Sequence, residues 1–291
     1  MERYLKGALS ANAASLGFHW VYDGEYIEAI ANQEPILWVP QQKKHYKAAK
    51  EAYLGYEGLP VGSVTMQGSV MIWLYKALKN NPALSREDYG ELLYEKMRPG
   101  GIYRGYVESY ANTLIAQKIA QRFKVHMSPF ERHDDHLVGM VPYLVTKEHG
   151  LSSEKAWDLA QLFTDDTDYI AFYEMLDTVF ETIHSHGIKK AIEAAIKKAP
   201  EHLRHVFEAG LNTRDTKAFA STYDLVACSV HKTLPIALHI CYHAQSFKQA
   251  LEDNMRIGGN LSDRAAYIGA ILSQIYPVDD AWYQPVMKVY G

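Results

Sequence analysis

The chain has 291 residues, 48% of them hydrophobic, enough to bury a full core in one large domain or two small ones, and one is the favoured reading. A net charge of −4 with a pI near 6.4 leaves no basic footprint for nucleic acid, and the 13 histidines are scattered rather than set at metal-finger spacing. Cys228 and Cys241 suggest no disulfide framework, no signal-like apolar run follows Met1, and no stretch reaches the roughly 20 apolar residues of a membrane span, so a soluble cytoplasmic protein without a membrane partner is expected.

Residues 5–23 read as a buried helix. Ala8, Ala11, Ala14 and Ser15 permit close approach of another backbone, Asn12 sits mid-helix, and Phe18, His19, Trp20 and Tyr22 crowd the C-terminal end. His19 reads first as an imidazole hydrogen-bonded inside that packed end and second as a ligand contact. Between 33 and 62, prolines at 35, 40 and 60 and glycines at 55, 58 and 62 break the periodicity and predict a surface loop or lid. Its Tyr46, Tyr53 and Tyr56 offer faces to a base or sugar, although with 21 tyrosines in the chain their packing on the body is the first reading.

Helical periodicity resumes after Val64, Thr65, Met66, Gln67 and Gly68 and ends near Asn80, Asn81 and Pro82. Ser85 opens a capped helix that runs to the break at Pro99, and an amphipathic helix with Tyr110, Leu114, Ile115 and Phe123 follows. The string His133, Asp134, Asp135, His136 looks metal-binding. Neighbours on a regular helix point about 100° apart, so only a loop could converge two or three of them. Asp134 and Asp135 also stand at a helix entrance, where the macrodipole alone favours carboxylates.

Ser152 or Ser153 caps the next helix, which stops at Thr164, Asp165, Asp166, Thr167 and Asp168. For this acidic run, capping of the long following helix is the first reading, and Asp165 or Asp168 reaching a pocket is the second. Gly187 and Pro200 punctuate later helices, residues 233–241 form a central apolar one, and Ser246 with Gln249 is a capping box. That last box launches a helix into Gly258-Gly259, after which Asn260, Leu261, Ser262 and Asp263 open a helix of small and apolar residues.

Gly258-Gly259, a few polar residues and then Arg264-Ala265-Ala266-Tyr267-Ile268-Gly269 resemble the C-terminal signature of the ADP-ribosylglycohydrolase family. His19-Trp20-Val21-Tyr22-Asp23 resembles the end of the first helix in a bacterial branch of that family, and residues 137–142 are similar to its central helix. The resemblance implies an all-α, single-domain orthogonal helical bundle spanning 1–291. It also implies two magnesium ions held by aspartates in two turns and hydrolysis of a glycosidic bond to ADP-ribose. In the family the C-terminal turn reads Gly-Gly-Asp-Thr-Asp-Thr and the earlier one Thr-Asp-Asp-Thr. Here Asn260 and Ser262 stand in the first and Met66 and Gln67 in the second, with Thr65 kept and Asp263 supplying a carboxylate one position late.

Amide, hydroxyl and thioether groups are poor substitutes for carboxylates around a hard dication, so the metal-dependent activity is expected to be altered or lost. A branch that includes a jellyfish lens crystallin is similar in lacking the full metal set. The resemblance thus implies ligand contacts at Asn12, His19, Thr65, Gln67, Gly259, Asn260 and Ser262. It leaves acid or base roles to Asp134, Asp135 or Asp165, and metal contacts, short of a dinuclear site, to Asp263 and Asp166. An ADP-ribose or nucleoside-type molecule is the expected partner, and a non-catalytic binding or structural protein on the same fold is the alternative.

Overall fold

The sequence LKGALSANAA offers no polar stripe to water, and a helix of that kind has to be surrounded. In the structure, a computed structural model that describes residues 4–127 and 137–291, this helix, Leu5–Ala14, lies against the equally buried helix Leu261–Leu272. Gly7 and Gly269 meet where the two cross: a Cβ on either would lie 2.3 Å from the other's carbonyl oxygen. An alanine at either position would force the backbones apart, an overpacking cost of about 1–3 kcal/mol.

Other helices wrap this pair. Val230–His243 and Phe247–Arg256 flank Leu261–Leu272, Asp280–Tyr290 lies along Leu5–Ala14, and Met66–Asn80 packs on Met140–Glu148. Asp168–His186 pairs with Ile188–Ile196, and one continuous apolar core runs through the assembly. The fold is all-α: the described residues contain no strand, only isolated bridges from Val21 to Ala52 and Gly259. No described helix is long and apolar enough to cross a membrane.

The caps predicted at Ser85, at Ser152 or Ser153 and at Ser246 are formed by local bonds, at Ser152 in the second case, and Thr65 adds one that was not predicted. The side chains of Thr65, Ser85, Ser152 and Ser246 accept from the backbone N–H groups of Gly68, Asp88, Lys155 and Gln249. The helix expected over 5–23 is shorter than its pattern suggests. It stops at Ala14, whose carbonyl accepts Trp38 N–H at 2.8 Å, continues as a single 3-10 turn, Leu16–Phe18, and then turns away at Trp20, whose φ is 66°.

The segment 33–62 holds that departure in place. Gln41 Nε2 and the Tyr46 hydroxyl both donate to the His19 carbonyl, at 3.2 and 2.7 Å, while Gln41 Oε1 accepts Tyr56 N–H at 2.7 Å. Tyr46 and Tyr56 are accordingly buried and only Tyr53 faces out. The central helix also exceeds its expected 233–241, running Val230–His243 with Pro235 inside it.

Candidate functional site

The two turns singled out in the sequence meet at one buried carboxylate. Asp263, in the first turn of Leu261–Leu272, accepts the Thr65 hydroxyl at Oδ1 (2.5 Å), Asn12 Nδ2 at Oδ1 (3.3 Å) and Gln67 Nε2 at Oδ2 (3.1 Å). Thr65 is saturated: it donates once, and its oxygen accepts from Asn12 Nδ2 (3.0 Å) and Gly68 N–H (3.3 Å). Asn12 is equally occupied, for its Oδ1 accepts Thr65 N–H at 2.9 Å and its amide nitrogen also donates to the Ser262 carbonyl at 3.0 Å. All of these residues are buried.

His19 closes the network from the other side. Its Nδ1 accepts Ser262 N–H at 3.0 Å, so the ring proton belongs on Nε2, which lies 4.0 Å from Asp263 Oδ2. Complete burial, helped by the Arg264 charge, holds the imidazole down at about 3, so the ring is neutral and this approach is no ion pair. Around the network sit buried polar atoms without a partner among the described residues: His19 Nε2, Gln67 Oε1, Ser262 Oγ and both amide atoms of Asn260. Asn260 occupies the N-cap of Leu261–Leu272 but its side chain does not cap it.

Arg264 fixes the turn beneath. It donates to Asn254 Oδ1 at 2.5 Å and to the Gly258 carbonyl at 2.8 Å, and burial lowers it to about 9, which still leaves a cation at neutral pH. Gly258 and Gly259 have φ of 77° and 83°, and a Cβ on Gly259 would stand 2.1 Å from the Val226 carbonyl oxygen. Only glycine lets the chain pass there and pair Gly259 with Val21.

Beside the network opens a cleft of about 510 Å³ lined by Trp20, Tyr22, Tyr53, Tyr106, Glu108 and Cys228 among others. The Trp20 ring lies 4.6 Å from that of His19 and 5.1 Å, edge to face, from that of Tyr106. Met66 is buried, and its sulfur accepts Glu108 N–H at 3.3 Å. Burial pushes the Cys228 thiol up to about 12, so it is no ready nucleophile at neutral pH. In another cavity, of about 440 Å³, Asp177 is engaged by Lys147, Tyr143 and Ser153.

Asn12, His19, Thr65, Gln67, Gly259, Asn260, Ser262 and Asp263 are therefore brought together. Asp165 is exposed in the loop before Asp168–His186, and Asp166 bonds within a different cluster, described below. Asp134 and Asp135 lie outside the described residues. Glu108 was not singled out in the sequence, and Arg264 only as part of the C-terminal signature, without a role. Glu108 stands just before a helix, at Ser109–Arg122, where a carboxylate is unremarkable. Arg264 stands at the head of the Arg264-Ala265-Ala266-Tyr267 signature, but nothing in that pattern shows that it fixes the glycine turn.

No family model matches this chain, and no curated protein matches it. Among solved structures, one described as an "ADP-ribosylglycohydrolase-related protein complex" superposes with a TM-score of 0.63 over 97% of this chain and 90% of its own, at 14% identity. At that identity the similarity is one of fold. A magnesium pair, which the family resemblance implies, does not fit the described residues of the network. Two adjacent dications need several anionic oxygens, whereas the matched turns contribute one carboxylate whose oxygens are taken by hydroxyl and amide donors.

Proposed function

We propose that this protein binds a ribosyl or nucleoside-type small molecule in the aromatic cleft and lacks the dinuclear-magnesium hydrolysis of the family it resembles. The observation that carries this reading is the saturation of Asp263 by Thr65, Asn12 and Gln67, in a buried network lying directly behind the cleft wall. In chemical terms, neutral donors occupy the place that cations would need.

The remaining features support binding rather than turnover. Tyr53 and Tyr106 give the cleft exposed ring faces suited to stacking on a base or sugar, and Glu108 adds a carboxylate to its lining, while the network of His19, Gln67, Asn260 and Ser262 stays buried behind Trp20. The test is thermal melting with ADP-ribose and with free nucleosides, alongside ADP-ribosyl hydrolysis with magnesium and with chelator. The expected result is a midpoint that rises once ligand exceeds its dissociation constant, with no chelator-sensitive turnover. A variant carrying Met66→Asp, Gln67→Asp, Asn260→Asp and Ser262→Asp should gain magnesium binding. Robust chelator-sensitive turnover by the native chain would overturn the loss of hydrolysis, and an unmoved midpoint at millimolar ligand would overturn the binding.

A further inference from the structure

A second polar constellation lies outside the cleft, where the N-terminal turns of helices Asp168–His186, Glu201–Asn212 and Val230–His243 converge. Each contributes one side chain: Asp168, His202 and His231. His231 Nε2 stands 2.9 Å from Asp168 Oδ2 and 3.3 Å from Asp166 Oδ2, and His202 Nε2 stands 3.3 Å from Asp168 Oδ2. The ligating atoms of Asp168, His202 and His231 all fall within 4.8 Å of one another.

We propose that Asp166, Asp168, His202 and His231 form a binding site for a zinc-class divalent transition metal. A tetrahedral ion with bonds of about 2.0–2.1 Å separates its ligand atoms by roughly 3.4 Å, close to the 2.9 and 3.3 Å between Asp168 Oδ2 and the two imidazoles, whereas Asp166, beside His231 alone, has to turn inward to become the fourth ligand. Two imidazoles with two carboxylates form a nitrogen and oxygen set suited to zinc or cobalt, whereas magnesium prefers oxygen alone. Charge balance points the same way. Three helix N-termini oppose a lone cation, but two carboxylates neutralise a dication on arrival.

The ligands are also held in position. Thr164 Oγ1 accepts Asp166 N–H at 3.1 Å, and Asp166 Oδ1 accepts Asp168 N–H at 3.0 Å, leaving Asp166 Oδ2 toward His231. Phe172, buried one turn beyond Asp168, packs edge-on against the His231 ring at 5.6 Å. The His202 side chain is 63% exposed, which gives an ion access from solvent. His231 follows Cys228 by three residues, so an ion here would steady one wall of the cleft.

The competing reading is a set of surface imidazole and carboxylate pairs with no affinity for metal. Titration of the full-length, metal-stripped protein with Zn²⁺ near neutral pH separates the two, with Co²⁺ as a spectroscopic probe of tetrahedral coordination and Mg²⁺ as control. One zinc per chain is expected, together with a tetrahedral cobalt spectrum, a raised melting midpoint and no response to magnesium. His202→Ala changes an exposed side chain, so the variant should fold as the native chain does and lose at least about tenfold in zinc affinity. Asp166→Asn should lose affinity in the same direction. Absence of zinc binding at about 100 μM, or binding undiminished in both variants, would overturn the site.

Discussion

Asp263 and Asp168 each open a helix, and each gathers polar side chains from elements distant in sequence, yet their surroundings are chemically opposite. Asp263 is buried and accepts from a hydroxyl and two amides, none of which can bear a charge in its place. Asp168 is partly exposed and faces two imidazoles, bases that bind protons or soft cations. The identity of an acidic residue therefore says little about metal chemistry. Its neighbours decide whether the carboxylate is a closed structural acceptor or an open ligand, and burial decides what it costs to change them.

The sharpest way to break this comparison is to remove Asp263. In Asp263→Leu the Thr65 hydroxyl and the Gln67 amide lose their acceptor inside the core, where each stranded donor costs about 1–3 kcal/mol, while Asn12 Nδ2 keeps Thr65 Oγ1 and the Ser262 carbonyl. A loss on the order of 4 kcal/mol in denaturant unfolding is expected. By contrast, Asp168→Asn removes contacts between partly solvated groups and should cost no more than about 1 kcal/mol in metal-free protein. If the two variants lose stability equally, the contrast between a closed and an open carboxylate does not hold.

Acid gives a second, smaller lever. The His19 pKa is depressed from 6.5 to about 3 in the folded protein, so the unfolded chain takes up that proton first as pH falls. Its neutral state stabilises the fold fully above about pH 6.5, and that contribution drains away between there and about pH 3. By pH 4 the loss from this group is on the order of 3 kcal/mol. His239, lowered to about 4 by burial, acts in the same direction. His19→Asn keeps an acceptor near Nδ1 for Ser262 N–H but does not titrate, so its stability should fall less between pH 7 and pH 4 than that of the native chain. Parallel acid profiles for the two proteins would mean that His19 is not held neutral.

What could be read in advance depended on how far apart the interacting groups lie in the chain. The caps at Ser85, Ser152 and Ser246 were legible because the bond closes within three residues. The all-α fold was legible from helical periodicity and the resemblance together, and the meeting of Asn12, Thr65 and Asp263 from the resemblance. The end of the first helix at Ala14 was not, since Trp38 and Gln41 impose it from the following loop. The His202 and His231 pairing with Asp168 was equally hidden, because only the packing of three helix ends joins them. Nor could the pattern show that Asp263 is saturated, which depends on the rotamers of Gln67 and Asn12 rather than on their presence.

The smallest effect tests whether the cleft works separately from the network behind it. Tyr53 and Tyr106 line the cleft but are 59% and 48% exposed, so truncating either removes a ring face without opening the core. Tyr53→Ala should leave the melting midpoint of the free protein within about 2 °C, because exposed side chains away from buried contacts alter stability little. If a base or sugar stacks there, the same change removes about 1–3 kcal/mol of binding, a loss of roughly tenfold or more in the affinity for a nucleoside-type ligand. Tyr106→Ala should lose somewhat more, since its ring also meets Trp20 edge to face at 5.1 Å and helps keep that indole upright against the cleft. Titration calorimetry on both variants reads the difference directly. Native affinity in both would place any bound ring elsewhere and leave these tyrosines as surface cover for Trp20.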